Sequence, residues 1–264
     1  MSGSKFRRIA IFGDDYGVEQ LLRYVPKELV KCVVAASIRP EYIPRTAELA
    51  HCIGSRLLIQ PVFESQDYPA VADNIGELKI DLLLCNSYSM VIREDVLRSV
   101  GYNAINIHWA LLPKNRGPNP VQWAVIKGEA ETGVTAHYMQ NGIDAGDIIA
   151  RKAVEIGFED TWVDVWKKLS EKAEELLRDE IPGVIAGLNG RIRQDESLAT
   201  SNKRLTEDFP RIDFVAMSDE EVYNLIRAQV KPLKGAFIEH DGERLYFSEF
   251  VKYKDIGKLR KKYG

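Results

Sequence analysis

Three polar residues of this sequence have side chains suited to acyl-transfer chemistry. Asn106 and His108 follow a short apolar run and are two positions apart, so in a strand both side chains point to the same face. Asp144 comes later, in the glycine-flanked stretch NGIDAGDII. A carboxamide stabilises a developing oxyanion, an imidazole moves a proton, and a carboxylate orients the imidazole. We see no serine or cysteine placed as an activated nucleophile, so we expect direct transfer to an amine rather than a covalent acyl-enzyme.

Each of these residues also has a simpler structural explanation. Asn106 is suited to cap a helix or a turn, His108 to be a buried and satisfied histidine, and Asp144 to be a turn residue. Spacing alone therefore predicts an acid–base site without specifying its reaction.

The elements around these residues predict an α/β fold. Short buried strands are predicted over residues 7–13, 29–38, 56–61, 80–86 and 104–107. Helices are predicted over residues 18–25, 47–54, 68–79 and 119–128, with residues 39–46 as a polar loop. This alternation indicates a Rossmann-like, mostly parallel sheet with helices on both faces. Ligands of such sheets bind beyond the carboxyl ends of the strands, where Asn86, Asn106 and His108 are expected.

The pattern changes after residue 131. Residues 132–139 and 147–156 are predicted to form an antiparallel strand pair, and residues 161–188 one amphipathic helix with a possible break at Pro182. Trp162 and Trp166 share a face of that helix and are expected to pack in a core. We divide the chain into a first domain (1–190), a linker (191–210) and a small α+β subdomain (211–264). That subdomain holds a helix (219–230) and a hairpin turning at Asp241-Gly242.

Composition limits the classes of partner. The formal net charge of -3 argues against sequence-independent nucleic-acid binding, and no apolar run reaches the roughly 18 residues of a membrane span. The first residues lack the pattern of a secretory signal, so we expect the cytoplasm. Cys32, Cys52 and Cys85 have no metal-ligand spacing and are expected to be buried free thiols, with no metal bound.

The stretch FGDDYG after the first strand is a poor phosphate loop. It lacks the G-x-G-x-x-G pattern, and Asp14 and Asp15 would repel a pyrophosphate. These carboxylates suit an amine-bearing partner, and a helix N-cap explains them equally well.

The segment 106–149, NIHWALLPKNRGPNPVQWAVIKGEAETGVTAHYMQNGIDAGDII, resembles the formyltransferases that use 10-formyltetrahydrofolate. Their pattern is Asn-x-His-x-x-Leu-Leu-Pro, Arg-Gly, Thr-Gly-Val-Thr and Gly-hydrophobic-Asp-x-Gly. The resemblance is strong over residues 80–155 and extends in layout over 5–190. It implies that Asn106, His108 and Asp144 are the catalytic trio and that 10-formyltetrahydrofolate is the co-substrate.

The resemblance also implies a folate pocket between residues 87–92 and 139–144, formed largely by backbone groups. The folate-binding residues expected from it are Tyr88, Ser89, Met90, Val91, Ile92, Met139, Gly142 and Asp144. Relatives often carry a proline where this sequence has Arg93.

Four acceptors are consistent with this family. Glycinamide ribonucleotide is disfavoured by the residues after 200, and water by the lack of an added N-terminal domain. Initiator tRNA is disfavoured because the remainder is short and the net charge of the chain is -3. The basic end KYKDIGKLRKK is expected to be a solvated helix. Residues 207–247 resemble the C-terminal segment of sugar N-formyltransferases, which implies a dTDP-, GDP- or UDP-linked amino sugar as acceptor. That class implies lipopolysaccharide O-antigen biosynthesis and a homodimer. The alternatives are a methionyl-tRNA formyltransferase-like enzyme and a non-catalytic folate- or nucleotide-binding module.

Overall fold

The computed structural model describes residues 4–67, 69–140 and 142–264, and its central element is a seven-stranded sheet. The strands are β1 Ile9–Gly13, β2 Val30–Ala36, β3 Arg56–Gln60, β4 Leu82–Asn86, β5 Ala104–His108, β6 Glu131–Tyr138 and β7 Ile148–Glu155. Their order in the sheet is β3-β2-β1-β4-β5-β6-β7. The pairs from β3 to β5 are parallel, and β6 is antiparallel to β5. The predicted α/β fold is confirmed.

Eight α-helices accompany the strands in the described part of the chain. They are α1 Asp15–Leu22, α2 Ile43–Cys52, α3 Pro69–Glu77, α4 Glu94–Ser99, α5 Pro120–Ile126, α6 Trp162–Ala186, α7 Asp219–Arg227 and α8 Ile256–Tyr263. Every residue of β1 and β4 is buried, which explains why both read as unbroken apolar runs. One core cluster joins β1, β2 and β4 to residues of α3 and α4.

Three differences between the predicted and the observed helices have a physical explanation. Helix α2 begins at Ile43, within the predicted loop, because Pro44 lies in its first turn, where a missing N–H costs nothing. Helix α4 was not predicted, since its six residues are too few to show a clear period. Helix α6 runs without a break through Pro182, so the possible break is wrong. Tyr68, the first residue of one predicted helix, and Asn141, in a predicted folate loop, lie outside the described residues.

The chain divides into two compact units. Unit 1 comprises residues 1–108, 134–151 and 173–196; unit 2 comprises residues 109–133, 152–172 and 197–264. Each unit is assembled from three separate segments of the chain. The predicted division into 1–190, 191–210 and 211–264 stays a prediction. No helix in the described ranges combines the length and apolar character that crossing a membrane requires.

Unit 2 contains the predicted hairpin and helix. Strands β8 Ala236–His240 and β9 Glu243–Phe247 pair antiparallel, and the turn residues Asp241 and Gly242 have φ of 51° and 82°, as a two-residue hairpin turn requires. Helix α7 begins with a complete capping box between Ser218 and Glu221.

The tryptophans of α6 are half-buried and are not among the buried core residues, which departs from the predicted packing in a core. The Trp162 indole N–H donates to the Val230 carbonyl at 2.8 Å, and the Trp166 ring stacks on Trp109 with centroids 5.9 Å apart. Trp166 thus packs on a buried ring, whereas Trp162 is held by a hydrogen bond.

Within unit 2, the residues after the Leu-Leu-Pro motif hold part of the predicted linker. The Arg116 N–H donates to the Thr200 carbonyl and the Asn202 N–H to the Arg116 carbonyl, each at 2.8 Å. Gly117 has a φ of 88°, and a Cβ there would approach the Asn202 carbonyl oxygen to 3.0 Å. The Arg-Gly of the motif thus has a structural use in this chain.

Candidate active site

Strand β5 brings Asn106 and His108 to one end of the sheet. Their side chains share a face because they alternate around Ile107. On the neighbouring antiparallel strand β6, His137 is in register with Asn106, and Thr135 with His108. His108 is only 6% exposed, so its ring lies in surroundings that hold it in place.

The loop between β6 and β7 delivers the carboxylate. Gly142 has a φ of 104° and Asp144 a φ of 52°, so the backbone turns through the left-handed region twice. A Cβ at Gly146 would lie 1.9 Å from the Tyr138 carbonyl oxygen, which makes glycine obligatory there. These demands explain the glycines that flank Asp144 in the sequence.

The three predicted catalytic residues meet in unit 1. The Asp144 carboxylate lies with Oδ2 3.4 Å from Nδ1 of His108, and its Oδ1 is 3.3 Å from Nδ2 of Asn106. An amide donor, an imidazole and a carboxylate are thus mutual neighbours, which is the juxtaposition that the predicted chemistry needs. Their catalytic roles stay a prediction.

A fourth side chain, His137, joins this cluster and was missed in the sequence. Its Nε2 lies 3.2 Å from Nδ2 of Asn106 and 3.4 Å from Oδ1 of Asp144, and its Nδ1 is 2.9 Å from the Tyr138 carbonyl oxygen. A carbonyl oxygen only accepts, so we assign the proton to Nδ1 and infer that Nε2 accepts from Asn106. The signal that could have identified His137 is its place in a strand predicted to run just before the Asp144 loop.

The predicted folate loop, residues 87–92, follows β4 and is held by the side chain of Gln60, the last residue of β3. The Gln60 side chain is fully buried; its Nε2 donates to the Val91 carbonyl at 3.0 Å, and its Oε1 accepts from the Tyr88 hydroxyl at 2.9 Å. One amide thus ties two points of the loop to the sheet.

The side chains of the predicted folate residues fall into two groups. Tyr88, Ile92 and Met139 pack in or against the core cluster. Ser89 and Met90 are half-buried, and Val91 is 63% exposed. Folate contacts at these residues and at Gly142 stay a prediction.

Asp14 lies where β1 ends, beside this loop. It occupies the N-cap position of α1 without a side-chain cap bond. Asp15, the first residue of α1, accepts from the adjacent Tyr16 N–H through Oδ1 at 2.7 Å. The Ser89 hydroxyl donates to Oδ2 of Asp14 at 3.1 Å. Burial raises the pKa of Asp14 to about 6, and the Ser89 hydrogen bond only partly opposes this.

The three cysteines differ in burial. Cys32 and Cys85 are buried and Cys52 is exposed, so the expectation of three buried thiols is wrong for Cys52. Burial, followed by the charges of Asp144 and Asp14, raises the pKa of Cys85, which keeps this thiol protonated. In the ranges that the structure describes, no group of three or more His, Cys, Asp or Glu side chains is placed to hold a metal.

A comparison with known families identifies the kind of protein that carries this site. The formyl transferase family matches residues 7–181, which is more than half of the chain and includes the whole cluster. The chain belongs to the formyl transferase family. The family resemblance inferred from the sequence is thereby confirmed.

Solved structures share the fold. A 4-N formyltransferase from Francisella tularensis is 21% identical, with a TM-score of 0.73 over 93% of this chain and 98% of that chain. An N-formyltransferase from Helicobacter canadensis, in complex with folinic acid and dTDP-3-aminofucose, is 16% identical, with a TM-score of 0.68 over 91% and 86%. A glycinamide ribonucleotide transformylase from Symbiobacterium toebii is 22% identical, with a TM-score of 0.59 over 70% and 92%.

The raised pKa of Asp14 predicts a pH-dependent stability. A raised pKa of an acid means that folding disfavours its charged form; the resulting cost is absent below 3.8 and complete above about 6. We therefore expect Asp14→Asn to raise the melting temperature at pH 8 and to raise it less at pH 5. Thermal unfolding of both proteins at the two pH values measures this. An equal difference at both would contradict the assignment.

Proposed function

We propose that this protein is an N-formyltransferase that moves a formyl group from 10-formyltetrahydrofolate to the amine of a nucleotide-linked amino sugar. The observation that carries the proposal is the contact of Asp144 with Asn106 at 3.3 Å and with His108 at 3.4 Å, in a chain of the formyl transferase family.

In the proposed reaction, a neutral amine attacks the formyl carbon. A bond forms between that nitrogen and the carbon, the bond from the carbon to N10 of the folate breaks, and one proton passes from the amine to N10. Asn106 donates to the oxyanion that develops on the formyl oxygen. With Nδ1 of His108 facing Asp144, the other ring nitrogen, Nε2, takes and returns the proton.

Asn106 must exchange a partner for this reaction. Its amide carries two hydrogens, and Nδ2 lies 3.2 Å from Nε2 of His137 and 3.3 Å from Oδ1 of Asp144. We infer that the formyl oxygen displaces the longer contact, to Asp144, while His137 keeps the carboxamide oriented. His137 thereby becomes a fourth member of the proposed machinery.

The donor assignment rests on the family and on the predicted folate loops. The Helicobacter canadensis protein binds folinic acid, a formyl-folate, and its fold is shared with this chain. The loop 87–92 presents backbone groups beside β4, and such groups suit the planar row of donors and acceptors on a pterin.

The extent of the fold likeness argues against glycinamide ribonucleotide as the acceptor. The Francisella and Helicobacter formyltransferases cover 93% and 91% of this chain, whereas the glycinamide ribonucleotide enzyme covers 70%. The shared portion with the first two thus includes most of the C-terminal residues. We propose dTDP, UDP or GDP as the nucleotide. A homodimer, the cytoplasm and O-antigen synthesis stay predictions.

The contacts that the basic end of the chain makes within the protein weaken the tRNA alternative. In α8, the Arg260 side chain donates to Asp219 at 2.8 Å and to the Met217 carbonyl at 2.8 Å, and Ile256 is fully buried. The helix is therefore part of the unit 2 core rather than a wholly solvated one, and Arg260 is engaged within the protein.

Substitution of the cluster tests the mechanism. We expect Asn106→Ala, His108→Ala and Asp144→Asn each to lower kcat by about 100- to 10,000-fold, because each removes a group that acts in the transition state. Formyl transfer measured by chromatography of the sugar product gives the rates. His51→Ala, at an exposed position of α2, is the control. Near-normal turnover in Asn106→Ala or His108→Ala would refute the assignment.

Gln60 provides a separate test of the folate loop. Replacement of Gln60 by Met retains the volume but removes the hydrogen bonds from this side chain to the Val91 carbonyl and to it from the Tyr88 hydroxyl. We expect the KM for formyltetrahydrofolate to rise about tenfold, the equivalent of one net hydrogen bond, with kcat little changed. Glu64→Ala, exposed on the segment after β3, is the matched control. An unaltered KM in Gln60→Met would place folate elsewhere.

A ligand panel identifies the acceptor. Binding to the folded state raises the melting temperature in proportion to the logarithm of ligand concentration over Kd. We expect one class among dTDP-, UDP- and GDP-linked 4-amino sugars to give the largest shift. Initiator tRNA is the comparison, and a shift with tRNA alone would overturn the sugar assignment.

A further inference from the structure

Gln194 is a buried polar side chain that makes contact with the loop carrying Asp144. It is only 5% exposed. Its Nε2 donates to the Asp144 carbonyl oxygen at 2.8 Å and to the Gly146 carbonyl oxygen at 2.7 Å. Both hydrogens of one amide are thus used on two carbonyls that lie on either side of Ala145.

The loop that receives these bonds has a demanding backbone. Asp144 has a φ of 52°, in the left-handed region that residues with a Cβ seldom adopt. The contacts of its carboxylate with Asn106 and His108 are 3.3 and 3.4 Å long, near the limit for a hydrogen bond. A small shift of the loop would therefore break both.

Gln194 itself is held by the segment that precedes it. We call residues 189–194 the strap. Ile192 exchanges two backbone hydrogen bonds with Ile148 at the start of β7, both 2.8 Å long. The Asn189 amide donates to the Tyr138 hydroxyl, and the Arg191 guanidinium lies 3.5 Å from the centre of the Tyr138 ring. The strap is thus fixed to β6 and β7 on both sides of the Asp144 loop.

The strap lies beyond the residues that match the family. That match ends at residue 181, thirteen positions before Gln194. The support of the Asp144 loop is therefore supplied by a part of the chain outside the segment that defines the family.

We propose that Gln194 is a positioning residue of the formyl-transfer site. It holds the carbonyls of Asp144 and Gly146, and so keeps the Asp144 carboxylate within reach of Asn106 and His108. This inference rests on the proposed function, because the consequence is a change in the rate of formyl transfer.

Gln194→Met tests the role at constant volume. Methionine fills the space but donates no hydrogen, so both hydrogen bonds from residue 194 to the two carbonyls are lost. A displacement of about 1 Å in a catalytic group costs up to about 100-fold in rate. We expect kcat to fall at least tenfold, by the same principle of positioning, with the KM for the sugar nucleotide unchanged. Arg193→Ala, exposed and adjacent on the strap, should leave both constants at the wild-type values.

Gln194→Glu adds a readout that a purely structural role would not give. An ionised carboxylate donates no hydrogen to the two carbonyls, whereas a protonated carboxyl donates one. Hydrogen bonding of the neutral form raises the pKa of such a group. We expect the activity of this variant, relative to wild type, to fall as the pH rises from 5.5 to 8.5, while melting curves show a folded protein throughout.

The outcomes separate this inference from the proposed function. Wild-type kcat in Gln194→Met, or a wild-type pH profile in Gln194→Glu, would overturn the positioning role. Wild-type protein that formylates none of the sugar nucleotides would count against the proposed function instead. In that case hydrogen–deuterium exchange of residues 142–147 decides: faster exchange in Gln194→Met than in Arg193→Ala supports the contact, and equal exchange overturns it.

Discussion

The site depends on one constraint: a carboxylate must be brought from a loop to the end of a strand. Asp144 achieves this by a left-handed backbone, with φ of 52°, between two glycines. Its two oxygens then lie near three side chains of β5 and β6. A single acid thus orients the amide and the imidazole together. The strands supply fixed positions, and the loop supplies the charge.

Much of the fold could be predicted because buried strands leave a strong signal. β1 and β4 are wholly buried and are apolar up to their last residues, Gly13 and Asn86. The Asp241-Gly242 turn could be predicted because these residue types tolerate the positive φ that a two-residue hairpin turn requires. The start of α2 and the short α4 could not be predicted, because neither shows enough period to outweigh the loop-like composition around it. Pro182 suggested a break that α6 does not have. Only four residues of the helix follow this proline, and the helix continues with the loss of one hydrogen bond.

For the site, residue type and spacing identified the acid, the imidazole and the amide, and the family resemblance supplied their reaction. His137, Gln60 and Gln194 were not found, since each acts by a contact over more than twenty residues of sequence. A lone His or Gln in a strand or a polar segment has no local feature that separates it from a core or surface residue. Such supporting groups become visible only through their distances.

The backbone pairing of Ile192 with Ile148 also protects part of an outer edge of the sheet. β7 is the last strand of the sheet, and an outermost strand offers unpaired N–H and C=O groups to any other extended chain. At Ile148 both groups are already taken by Ile192. Loss of the strap would thus expose the N–H and C=O groups of Ile148 at this edge of the sheet. Pairing of that edge with a second molecule would then compete with refolding.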